Sequence, residues 1–170
     1  WNEFFDFEKW TESFKETAIK IFRYQVQNNK VYSEYVSLLG RSVHDAETPD
    51  EIPFLPAELF KTRKILSDGI SFELVFESSR TTGMTSSMHY IHDPGLYKES
   101  FLRSFRMFYG DPSDYFIAAL LPSYSERKNS SLIYMVNTLV ELGASHGSRF
   151  YHGMNESLFS DLKNALSSGI

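Results

Sequence analysis

The chain is 170 residues long, enough for one hydrophobic core of ordinary size, and its 42% hydrophobic, 16% aromatic and 23% charged residues exclude the composition of a disordered segment. A formal net charge of -5, with 17 lysines and arginines scattered along the chain, excludes the broad basic footprint of a nucleic-acid binder. The absence of cysteine excludes a disulfide framework, a thiolate metal site and a cysteine nucleophile within these residues, and it fits a reducing, cytoplasmic setting.

No apolar run approaches the roughly 20 residues that span a bilayer, and residues 1–10 carry acids rather than the basic head of a signal peptide. The chain therefore reads as soluble. It starts at Trp1 without a methionine and stops at Ile170, after a helical pattern where another strand is expected. The expectation is a single, incomplete N-terminal domain over 1–170.

Residues 1–47 read as a helical pair. Phe14, Ala18, Ile21, Phe22 and Gln25 recur at spacings of three and four and predict a helix over 12–27 with one face to bury. Asn28 and Asn29 interrupt it. Tyr32, Tyr35, Val36 and Leu39 then repeat the helical spacing up to Gly40, a residue suited to a left-handed C-terminal cap. Residues 48–69 form a connector. Three prolines over 48–56 fix the local backbone, and Ile52, Phe54 and Leu55 between them make it ordered and extended rather than a flexible linker.

Residues 70–170 read as an α/β part. Alternation over 70–76 predicts a strand, which breaks into Glu77, Ser78, Ser79, Arg80, Thr81, Thr82 and Gly83. A second extended stretch covers 88–91. Asp93 and Pro94 then supply the cap and first turn of a helix, whose Tyr97, Phe101, Phe105 and Phe108 share a face read as core and whose end is marked by Gly110 and Pro112. The continuous apolar run 115–121 reads as a strand buried on both faces and stopped by Pro122. A helix over 130–142 with Gly143 after it, a short strand over 148–151 and a helix over 155–166 complete the order. Strand and helix alternate, so the class is α/β, a mostly parallel sheet with helical crossovers preceded by the helical pair. There is no internal repeat.

A strand ending in small hydroxyl residues and glycine suits polyphosphate, because backbone N–H groups and hydroxyls converge on phosphate oxygens. The same composition also builds ordinary polar turns. No lysine follows Gly83 and no Gly-x-x-x-x-Gly-Lys-Ser/Thr spacing occurs, which excludes a Walker P-loop.

The stretch Glu77-Ser78-Ser79-Arg80-Thr81-Thr82-Gly83 resembles the Ser/Thr-Ser-Gly-Thr-Thr-Gly loop of adenylate-forming ligases, the acyl-CoA synthetase and luciferase superfamily. Within it, Asp50-Glu51-Ile52-Pro53-Phe54-Leu55-Pro56, Phe60-Lys61-Thr62 and the segment from Pro122 to Ser131 (Pro-Ser-Tyr-Ser-Glu-Arg-Lys-Asn-Ser-Ser) resemble LuxE-type acyl-protein synthetases. The likeness runs from the first long helix onward. It implies a large N-terminal domain that binds ATP and an acid, with a catalytic lysine expected beyond Ile170, and a reaction through acyl-AMP followed by acyl transfer to a protein or carrier thiol. It further implies that Ser78, Ser79, Thr81, Thr82 and Gly83 hold the leaving pyrophosphate, that Mg²⁺ accompanies ATP, and that the acid is fatty or another acyl acid. Two departures stand out: Arg80 replaces the loop's central glycine, and Thr85 and Ser86 stand where a proline and lysine often follow it. Arg80 either supplies a charged fork to the phosphates or fills their space. The latter would make the protein an impaired ligase acting as a scaffold subunit; an acyltransferase using a preformed thioester is the further alternative.

Tyr124, Arg127, Ser130 and Ser131 follow the carboxyl end of the buried strand, where open α/β sheets bind ligands, and are candidates to line an acyl-adenylate pocket. Equally, Ser130 reads as a helix cap and Arg127 as a solvated loop charge. His89 and His92 fall on opposite faces of an extended segment with no carboxylate cluster, so no metal site is expected. His146 and His152 flank Gly147 and Gly153, glycines that suit either a nucleotide's close approach or simple turns.

Overall fold

A computed structural model describes residues 10–78, 85–121 and 128–169. In chain order its elements are α1 (Trp10–Asn28), α2 (Lys30–Leu38), α3 (Leu59–Thr62), β1 (Leu74–Glu77), β2 (Met88–Ile91), α4 (Pro94–Tyr109), β3 (Ala118–Ala119), α5 (Ser131–Leu142), β4 (Arg149–Phe150) and α6 (Glu156–Ser167). The fold is thus a mixture of helices and short strands. The chain divides into two compact units, Trp1–Ser71 with Ser87–Tyr90, and Phe72–Ser86 with Ile91–Ile170.

In the first unit, α1 and α2 are separated by Asn29, which is buried and does two jobs. Its side-chain oxygen accepts from the Tyr32 N–H at 3.2 Å, starting α2, while its amide donates to Gln25 on α1 at 3.1 Å. Gly40 takes φ 67°, and the Gly40 and Arg41 N–H groups donate to the Ser37 and Val36 carbonyls, the reverse turn expected at a helix end. The core here is Ile19, Phe22, Tyr32, Val36 and Ala46, flanked by Val26, Tyr35, Ile52 and Leu55. The Phe22 ring meets Tyr32 edge-on at 6.2 Å, and the Tyr32 hydroxyl donates to the Pro53 carbonyl at 2.7 Å, pinning the proline connector onto α2. That connector is not extended throughout: Pro49–Glu51 form a 3₁₀ turn, closed by the Glu51 carboxylate accepting from the Glu47 and Thr48 N–H groups.

The stripe read from α1 faces differently from expectation. Ile19 and Phe22 carry the burial, whereas Phe14 and Ile21 are about half exposed. Phe14, Ala18, Ile21, Phe22 and Gln25 instead line one wall of an apolar groove of about 490 Å³ whose other walls include Phe54, Leu55 and Phe60.

In the second unit, α4 begins as its sequence dictates, with the Asp93 carboxylate accepting from the Gly95 N–H at 2.8 Å and Pro94 in the first turn, and it ends at Gly110 with φ 87°. Its buried residue is Leu102, with Tyr97, Phe101 and Phe105 half-buried on the same side, whereas Phe108 is 75% exposed. The expected four-ring core stripe therefore stops at Phe105. Phe108 lies in the last turn, where its ring centroid stands 6.5 Å from that of Tyr109.

In the second unit β3 and β4 form a two-stranded sheet. The N–H of Glu73, just before β1, donates to the Ile91 carbonyl at 2.9 Å. β3 and β4 are parallel, with Ala118 opposite Arg149 and Ala119 opposite Phe150, and α5 is the crossover between them. The long strand expected over 115–121 is reduced to this pair. The Ile117 N–H goes to the Ser148 hydroxyl at 2.7 Å rather than to a strand, and with no further strand beside β3 among the described residues only Ala119 is buried while Leu120 is half exposed. Among the described residues the mostly parallel sheet expected from the sequence is not seen beyond this one parallel pair.

Gly143 ends α5, yet its φ of -84° is ordinary. A β-carbon there would lie 2.5 Å from the Ser148 hydroxyl and 2.6 Å from the Tyr115 carbonyl oxygen, so glycine is required by the close approach of the chain entering β3 rather than by a left-handed turn. α6 is capped by Asn155, whose side chain accepts from the Leu158 N–H at 3.0 Å. It is tied to β4 by a closed network: the buried Tyr151 hydroxyl donates to Asp161 at 2.7 Å, and Arg149 donates to both Tyr151 and Asp161.

Candidate functional site

β1 ends at Glu77, and what fixes that end is an aromatic anchor. Phe76 is buried, with its ring edge-on to Tyr97 of α4 at 5.1 Å and to Tyr134 of α5 at 5.7 Å; Tyr97 in turn meets Phe101 at 5.3 Å. Such edge-to-face pairs add about 0.5–1.5 kcal/mol each beyond the area they bury. Strand propensity at Phe76 and helical spacing at Tyr97 and Tyr134 thus converge on one cluster beneath the end of β1.

The next residue makes the connection that matters most. The Glu77 N–H donates to the Asn129 carbonyl at 2.8 Å, and the Asn129 amide donates back to the Glu77 carboxylate at 2.8 Å, across 52 residues of sequence. Two bonds running in opposite directions leave the pair little freedom to slide. Immediately after Asn129, the Ser130 hydroxyl accepts from the Ile133 N–H at 3.3 Å and caps α5, and the Tyr97 hydroxyl donates to the Ser131 carbonyl at 3.3 Å. Ser78, at the exit of β1, is exposed; Ser130 and Ser131 are half-buried.

The structure therefore brings together the start of the hydroxyl-rich segment, Glu77 and Ser78, and the end of the second segment, Asn129 to Ser131. Ser79, Arg80, Thr81, Thr82 and Gly83 lie outside the described residues, as do Tyr124 and Arg127. Ser130 is a helix cap, the plainer of the two readings of that residue. Thr85 is exposed and Ser86 is buried. Sequence reasoning missed Asn129, which lay inside the quoted motif; its only local signal was its place just before a capping serine.

The parallel pairing puts the carboxyl ends of β3 and β4 on one edge, the side on which open α/β sheets place ligands. At that edge β4 runs into exposed His152, Gly153 with φ 139° and exposed Met154. At the opposite end of the same strands, a cleft of about 590 Å³ is lined by Phe116, His146, Arg149, Asp161 and Asn164 among others. Hydrogen bonding from Tyr151 and Arg149 holds the Asp161 carboxyl below its usual range, and burial pushes the Tyr151 hydroxyl up. His89 stacks on Phe60 at 4.7 Å. Among the described residues no group of His, Asp or Glu is arranged to hold a metal ion, and no helix is long and apolar enough to cross a membrane.

Compared with known proteins, the chain matches no family model, no curated protein and no solved structure.

Proposed function

We propose that this protein belongs to the machinery of ATP-dependent carboxylic-acid activation, forming an acyl-AMP and passing the acyl group to a protein or carrier thiol in the cytoplasm. The observation that supports it is the double hydrogen bond between Glu77 and Asn129, which joins the segment that resembles the phosphate loop of adenylate-forming ligases to one that resembles LuxE-type acyl-protein synthetases.

In this reading an acid carboxylate, fatty or other acyl, attacks the α-phosphorus of ATP. The bond from that phosphorus to the bridging oxygen breaks, and pyrophosphate leaves with the electron pair. Ser78, Ser79, Thr81, Thr82 and Gly83 offer hydroxyl and backbone donors to the leaving group, with Arg80 supplying charge. This is electrostatic stabilisation of an in-line displacement rather than acid–base chemistry. Mg²⁺ bound with ATP would supply neutralisation of the phosphate charge, held by the phosphates themselves, since no group of His, Asp or Glu among the described residues is arranged to hold it. Tyr124, Arg127, Ser130 and Ser131 border the acyl-adenylate. A thiolate then attacks the acyl carbon and expels AMP; the acceptor thiol lies on another chain or segment, since these residues include no cysteine.

Carboxylate-dependent exchange of labelled pyrophosphate into ATP, assayed with the full-length protein over a panel of short to long acids, tests the reading. Exchange with at least one acid is the expected result. Absence of both exchange and ATP binding across the panel overturns it.

A further inference from the structure

The geometry points to Asn129 as a positioning residue that, by gripping Glu77, sets the spacing between the exit of β1 and the first turn of α5. This deepens the proposed function and rests on that reading, in which both segments contribute groups to one ATP site.

The chemistry of the pair is specific. An ionised glutamate accepts and cannot donate, and among side chains of its size and shape only an amide offers Asn129's N–H donor at that place. Aspartate there would set one carboxylate against another. The backbone bond beside it, from the Glu77 N–H to the Asn129 carbonyl, closes a ring that resists sliding along the strand as well as separation.

Holding the unit together does not depend on this pair. Phe76 is already buried between Tyr97 and Tyr134, and α5 has its own cap in Ser130. Asn129 is exposed and Glu77 half-buried, so their side-chain bond competes with water and adds little to stability. What it adds is alignment. The aromatic anchor fixes how deep β1 lies, whereas the Glu77–Asn129 ring fixes how the residue leading into Ser78 stands relative to Ser130 and Ser131.

The test is steady-state pyrophosphate exchange by the full-length protein, with the melting temperature measured alongside. Asn129→Ala is expected to raise KM for MgATP about three- to tenfold, the range that loss of one hydrogen bond allows, with kcat and KM for the acid within about twofold of wild type. Asn129→Asp is expected to be worse than Asn129→Ala, and Glu77→Gln, which keeps an acceptor oxygen, to recover most of the affinity that Glu77→Ala loses. Melting temperatures within a few degrees of wild type separate this role from a structural one. Should Asn129→Ala fail to fold, the Glu77→Ala and Glu77→Gln pair carries the test alone. Wild-type exchange with unchanged KM in the folded variants overturns this inference and leaves the proposed function standing. A wild-type protein that neither exchanges nor binds ATP overturns both.

Discussion

Gly143 and Tyr32 show how much rests on single atoms. At Gly143 a methyl group would be driven into the Tyr115 carbonyl oxygen, a backbone atom that moves only with the chain entering β3, as well as into the Ser148 hydroxyl. We therefore expect Gly143→Ala to destabilise the protein by about 1–3 kcal/mol, the usual cost of overpacking, measurable by urea denaturation; a neutral effect would mean that the segment before β3 yields freely. Tyr32→Phe keeps the ring contact with Phe22 but removes the donor to the Pro53 carbonyl. Leaving that carbonyl without its partner is expected to cost about 1–2 kcal/mol. Neither requirement is visible locally. Gly143 has the appearance of an ordinary helix-ending glycine, and Tyr32 that of one more apolar ring.

Among the elements, helix ends follow local rules and helix faces do not. Asn155 is the clearest cap, and Asn155→Ala is expected to cost about 1 kcal/mol, lowering the melting temperature without changing the secondary-structure content seen by circular dichroism. In α4 the contrast between Leu102 and Phe108 tests which face is buried. Leu102→Ala is expected to cost about 2–5 kcal/mol as a core truncation, whereas Phe108→Ala, at an exposed site, is expected to stay within about 0.5 kcal/mol. The spacing of Tyr97, Phe101, Phe105 and Phe108 could not distinguish these positions, because a helical stripe reports what one face contains and not how far its neighbours reach along it. The same limit applies to α1, where the stripe from Phe14 to Gln25 lines an open groove.

Across the whole molecule, acid stability sums over carboxylates held by hydrogen bonds. Asp45, Glu51, Asp111 and Asp161 all lie below their usual range, Asp111 furthest, lowered to about 2 first by Ser113 and then by Arg106. A depressed carboxylate contributes stability that is fully present above its unfolded value, near 4, and lost as pH falls through the folded value. Unfolding free energy is therefore expected to be level from neutral pH to about 5 and to fall progressively below about 4, with Asp111→Asn flattening the part of the curve between about 4 and about 2. A curve unchanged by that substitution would show that the Asp111 contacts do not persist in solution. By itself the sequence determined what depends on neighbours a few residues apart: the breaks at Asn29, Asp93–Pro94, Gly110 and Asn155, the turn at Gly40, and the alternation of helix and strand. These are caps, fixed dihedrals and short hydrogen bonds, whose energies are set within one turn of chain. Only the tertiary structure decided the shrinking of 115–121 to a two-residue strand, the exposure of Phe108, the close approach at Gly143 and the grip of Asn129 on Glu77 across 52 residues. Each of these depends on which distant backbone arrives alongside, and periodicity along one segment carries no information about that arrival.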